Sequence, residues 1–152
     1  MGSAVDKTDR RLGIAIAIIS VIGMGIAIYL TYIHYAHIKP VCFAHGGCET
    51  VQASRYAKFV GAPVPVLGLL GYIGILLSLL VPGDIGRAIT ALMALFGFGF
   101  SMYLTWLELF RIKAICQWCV GSATLMTILA VLTVWRLWRY QPPAAATLQQ
   151  PT

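Results

Sequence analysis

The chain has 152 residues, 59% of them hydrophobic and only 11% charged, with a mean hydropathy of +0.83. Soluble domains carry roughly a quarter charged residues, so this composition excludes an ordinary soluble enzyme and a chain that is disordered as a whole. The net charge of +6 does not mark a nucleic-acid surface either, because the basic residues fall mostly between apolar runs, as they do in multi-pass membrane proteins.

The first apolar run covers residues 12–33, 22 positions without a charge. It exceeds the 7–15-residue core of a signal peptide, and no small-x-small cleavage site follows, so it reads as a retained first span despite the Arg10-Arg11 pair before it. Three further runs, at 63–82, 88–107 and 116–135, each approach the roughly 20 residues that a helix needs to cross the hydrocarbon core. Backbone polar groups in lipid must be satisfied internally, and a barrel's alternation is absent. The sequence therefore predicts an all-α, multi-pass membrane four-helix bundle over residues 1–140, with a disordered tail at 141–152.

Between the first two spans lies a long segment, 39–62, in which residues 49–60 are expected to form a short helix with Tyr56, Phe59 and Val60 on one face, as a lid or a surface anchor. The links at 82–87 and 108–115 are short, so the later spans are expected to be antiparallel neighbours. Gly68, Gly71 and Gly74 recur every third residue in the second span, and Gly97 and Gly99 interrupt the third. Small faces of this kind allow close helix packing or leave room for a flat ligand. His34 and His37 and the four tryptophans suit an interfacial belt.

The four cysteines carry the chemistry. Cys42 and Cys48 lie in the long segment, and Cys116 and Cys119 form Cys-Gln-Trp-Cys at the start of the last span. With four spans, that segment and the mouth of the last span share one membrane face. Six basic residues against five (Lys39, Arg55, Lys58, Arg111 and Lys113) favour cytoplasmic termini only narrowly, although the cluster before the first span points the same way. Thiols decide better: stable disulfides are rare in a reducing cytosol, so both pairs are expected outside it. A Cys-x-x-Cys at a helix start favours a thiolate through unpaired amides and the helix dipole, and a thiolate is the species that attacks a disulfide. Two such pairs on one face read as a relay. Inert structural disulfides remain an alternative, as does a metal-binding or transport protein with zinc on the four sulfurs and His45. With no nucleotide-binding fingerprint, the available two-electron acceptor is a membrane quinone.

These residues resemble the vitamin K epoxide reductase family in its bacterial branch. The matching features are Cys42 and Cys48, Ser54 six residues later, Gly68 and Tyr72, the Ser-Met-Tyr-Leu-Thr-Trp stretch at 101–106, and Cys116-Gln117-Trp118-Cys119. The resemblance covers roughly 12–138. It implies a bundle around a quinone (ubiquinone, menaquinone or similar) and a thioredoxin-like partner that passes electrons to Cys42 and Cys48. It further implies reduction of the Cys116–Cys119 disulfide by that pair and delivery to quinone from a Cys119 thiolate, with Ser54 near the site. Eukaryotic members carry an asparagine and a tyrosine near the quinone where this chain has Val64 and Ala123. The expected contact at both positions is apolar, which weakens the case for an epoxide substrate. Bacterial relatives often carry a fused thioredoxin-like domain; none fits within 152 residues, so the partner is expected to be a separate protein. The resulting expectation is a quinone-dependent protein-thiol oxidoreductase in the inner or plasma membrane, with no nucleic-acid partner.

Overall fold

The computed structural model describes residues 2–43 and 47–140; the expected tail at 141–152 and His45 lie outside them. Helices dominate: α1 (Gly2–Ala36), α2 (Gly47–Ala53), α3 (Val64–Ser78), α4 (Gly83–Leu107) and α5 (Gln117–Tyr140). The all-α expectation holds, with one two-stranded exception. Between α2 and α3, β1 (Lys58–Phe59) and β2 (Ala62–Pro63) pair antiparallel around Val60 and Gly61, both at positive φ, the backbone that a two-residue hairpin turn requires.

The long helices pack as a ring in which α1 touches α3 and α5, and α4 touches α3 and α5. Ile16 and Ala27 of α1, Tyr72 and Ile75 of α3, Ala94 of α4, and Met126 and Leu129 of α5 meet in the core. The approach of α1 to α3 depends on Gly23, since a Cβ there would collide with the Tyr72 ring.

Three segments, Asp6–Ala36, Gly83–Ile112 and Gln117–Tyr140, are long and apolar enough to cross a membrane. The second expected span is shorter than the sequence reading. At 15 residues α3 rises only about 22 Å at 1.5 Å per residue, because Leu80 and Val81 donate to Leu77 and Ser78 in tight turns that end the helix. The third span is longer than expected, because Pro82 opens α4 and the supposed turn at 83–87 is its first helical turn. Gly86 lets that turn close, as a Cβ would strike the Val81 carbonyl.

At one end Asp9 joins three helices: Arg136 of α5 donates to it at 2.7 and 3.1 Å, and Arg87 of α4 at 3.4 Å. The cysteines are at the other end. Asp9→Ala strands Arg136, whose side chain is 15% exposed, and leaves Arg87 to Asp84 alone, and charge-assisted hydrogen bonds contribute about 1.5–3 kcal/mol each. Thermal unfolding in detergent is expected to show a loss of about 2 kcal/mol, without change in the thiol chemistry at the opposite end.

The short-helix expectation needs correction. The helix spans only Gly47–Ala53, because Ser54 adopts an extended backbone (φ −68°, ψ 154°) and is followed by one 3-10 turn, Arg55–Ala57. Tyr56, Phe59 and Val60 therefore do not share a helical face: Val60 is 90% exposed at the hairpin tip, while Phe59 meets Phe100 edge-on at 5.5 Å.

Candidate thiol and cavity site

After α1, His37 takes a left-handed conformation and the chain doubles back across the helix ends. Val41 is held on both sides: its N–H donates to the Tyr29 hydroxyl at 3.0 Å, and its carbonyl accepts the Trp118 indole N–H at 2.9 Å. Phe43 N–H donates to Gln117 Oε1 at 3.2 Å. The two central residues of Cys-Gln-Trp-Cys thus clamp the segment carrying Cys42. Trp118, assigned from sequence to the belt, instead packs on Tyr29 with ring centroids 5.0 Å apart.

Cys42 and Cys48 are joined as a disulfide, with Cα atoms 6.4 Å apart. Gly47 lies flush on the backbone of Ile115, where a Cβ would collide with main-chain atoms. That contact places Cys48 beside Cys116; both are essentially inaccessible and share one buried cluster with Val51, against which Cys42 and Cys119 also pack. Cys116 and Cys119 carry free thiols. Cys116 precedes α5, and a hydrogen bond from the Cys119 thiol holds its pKa below the usual thiol value, against burial and the nearby Glu108 carboxylate.

Glu108, read from sequence as part of a connecting link, is buried. It starts a five-residue π-turn, Glu108–Ile112, closed by Lys113 at φ 56°. Its carbonyl accepts Ala114 N–H at 3.2 Å, and its Oε2 accepts Cys116 N–H at 3.2 Å. The carboxylate also acts on the Cys119 thiol. One signal was available: a lone carboxylate between Leu107 and Leu109 at a membrane edge is a functional hypothesis by default.

A cavity of about 1260 Å³ opens between the helices beneath α2 and the hairpin. Ser54, Val64, Ala123 and Cys119 all lie on its wall, joined by Gln52, Tyr72, Ser122 and Glu108. Among the described residues, nothing lies within 4 Å of where a Cβ would sit on Gly68, Gly71 or Gly99, so these glycines border open space. Gly74 and Gly97 instead pack against Met93 and Met126.

The vitamin K epoxide reductase family model matches residues 14–134. The chain belongs to the vitamin K epoxide reductase family. It is therefore a membrane protein of a quinone-linked thiol oxidoreductase family.

The cavity fits the quinone this family uses. Its walls are apolar around open glycine faces, and Gln52 Oε1 is buried there with no partner among the described residues. Other polar groups are engaged: Ser54 Oγ donates to Val51 carbonyl at 2.7 Å, and the Tyr72 hydroxyl lies 2.9 Å from Ser122 Oγ. Neither Gln52 nor Glu108 was singled out in the sequence reading. Among the described residues, no group of three or more His, Cys, Asp or Glu is placed to hold a metal ion.

Proposed function

We propose that this vitamin K epoxide reductase relative reoxidises the dithiol of a separate thioredoxin-like protein on the extracytoplasmic face and passes the electrons to membrane quinone. One observation carries the reading: Cys48 packs beside Cys116, and Cys119 lines the apolar cavity. Of the loop pair, Cys42 is the more accessible sulfur, so the partner thiolate attacks Cys42 and Cys48 leaves as a thiolate. Cys48 then attacks Cys116 of an oxidised Cys116–Cys119 pair, expelling the Cys119 thiolate. The partner's second thiol frees Cys42, which attacks Cys48 and releases Cys116. The cycle leaves a Cys42–Cys48 disulfide and a reduced Cys116–Cys119 pair, the arrangement in this structure.

A bound quinone supplies a two-electron, two-proton acceptor. Gln52 would hold its head group, with Val64, Ala123, Gly68 and Gly71 as walls and Ser54 stiffening the C-terminal end of α2. Because Val64 and Ala123 give apolar contact alone, quinone reduction rather than epoxide reduction is the reading these residues support.

Mass spectrometry of trapped thiols in the purified, lipid-reconstituted protein tests this. Adding a reduced thioredoxin-like protein is expected to yield reduced Cys116 and Cys119, and adding a short-chain quinone is expected to oxidise that pair. Thiols that stay unchanged by quinone would overturn the reading, and four thiols protected by retained zinc would favour the metal-binding alternative.

A further inference from the structure

Oxidising the Cys116–Cys119 pair forms one S–S bond and releases two electrons together with whatever protons the sulfurs carry. The hydrogen bond from Cys119 already favours Cys116 as a thiolate, so the proton left to remove is the one on Cys119. Glu108 is the carboxylate beside it. It is 5% exposed, lines the cavity together with Cys119 and acts on that thiol, while its Oε2 accepts from the Cys116 amide at 3.2 Å. The π-turn and the left-handed Lys113 produce this placement by bringing residues 108 and 116 together across eight positions; π-turns of this kind are frequent at functional sites.

We infer that Glu108 is the general base of the Cys116–Cys119 pair, taking the proton from the Cys119 thiol as the disulfide forms and releasing it at the cavity. This inference rests on the proposed function. The balance is one Cys116 thiolate and one Cys119 thiol giving a disulfide, two electrons and one proton. The electrons pass to the quinone, which also takes up one proton held by Glu108 and a second from solvent water.

The surroundings suit a base rather than an ion pair. The groups acting on Glu108 are the Cys116 amide and the Cys119 thiol. Tyr56 and Tyr72 line the same cavity. Arg111 and Lys113 are exposed, Arg111 lying over the Trp106 ring, and Glu49 of α2 is exposed and paired with Lys39.

A purely structural role is the competing account, since the carboxylate also anchors the start of α5. Glu108→Gln separates the two, because its amide oxygen still accepts from Cys116 N–H but cannot take a proton. Glu108→Asp, which keeps a base, is the companion. In lipid-reconstituted protein, single-turnover oxidation of the dithiol by a short-chain quinone is expected to slow about 100-fold in Glu108→Gln, within the usual range for loss of a general base. The wild type should lose rate toward acid pH as the carboxylate protonates. Glu108→Asp should retain that acid limb, and Glu108→Gln should keep only the limb set by protonation of the Cys116 thiolate, moved to lower pH.

A second readout needs no quinone. Removing the carboxylate's charge is expected to move the alkylation profile of Cys116 to lower pH, because the negative neighbour no longer opposes its thiolate. Glu108→Gln oxidising at the wild-type rate with the wild-type pH profile, or an unmoved alkylation profile, would overturn the assignment and leave the relay intact. A wild-type dithiol that quinone never oxidises would instead overturn the proposed function, and this inference with it.

Discussion

Cys119→Ala is expected to reduce quinone reduction by a thioredoxin-like dithiol to the uncatalysed background and to accumulate one covalent species. Without Cys119 the Cys116 sulfur still attacks Cys48 of the Cys42–Cys48 disulfide, and alkylating the Cys42 thiolate it displaces blocks the return attack that would release it. The buried cluster dictates which bond forms, because Cys48 and Cys116 share it and Cys42 lies at its edge. Peptide mapping under non-reducing conditions should therefore recover Cys48 linked to Cys116, with Cys42 free to alkylation. Cys116→Ala should lose activity equally but yield no such link, because the remaining sulfur, Cys119, lies at the cluster's edge and on the cavity wall. Full activity in either variant would remove the second pair from the reaction. A predominant Cys42–Cys116 link would reverse the order of the loop cysteines.

The parts legible in the sequence are those carried by composition and spacing. Apolar length gave helical membrane segments, and Cys116–Cys119 opening a helix, with Cys42 and Cys48 in the long loop, gave two pairs at one end. Tertiary contact decided the rest. Trp118 looks like any interfacial tryptophan until Val41, 77 residues away, presents its carbonyl. Nothing in the local pattern at 49–60 shows that Ser54 breaks the helix, since the residues on either side suit a helix or a turn equally well. Glu108 is not legible as a site residue because a charge between two apolar runs reads as a boundary marker. Only the π-turn folds it back under the cysteines. The glycines divide in the same manner: identical spacing in α3 leaves Gly68 and Gly71 bordering open cavity and Gly74 packed on Met93, and only the neighbouring helix distinguishes them.

Gly47 sets the distance between the two sulfur pairs, and Gly47→Ala is expected to disconnect them. Its backbone is in contact with that of Ile115, the residue before Cys116, so even a single methyl meets main-chain atoms that no rotamer change can move. Ile115 cannot retreat easily, because Cys116 N–H is tied to Glu108 and Phe43 N–H to Gln117. The strain falls on α2, a seven-residue helix, which must lift and carry Cys48 away from Cys116. Overpacking of this type costs about 1–3 kcal/mol in stability, whereas a displacement of about 1 Å at reacting atoms costs on the order of 100-fold in rate. Kinetics should therefore suffer more than folding. The expected result is a roughly 100-fold slower exchange between the pairs, followed by quenched mass-tagging of thiols. Reduction of Cys42–Cys48 by a small dithiol and oxidation of Cys116–Cys119 by quinone should each stay near the wild-type rate, since neither depends on the contact. Exchange at the wild-type rate would mean that the packing of α2 on Ile115 does not govern electron transfer. Loss of all three reactions together would mean that Gly47 supports the whole loop rather than the spacing of its sulfurs.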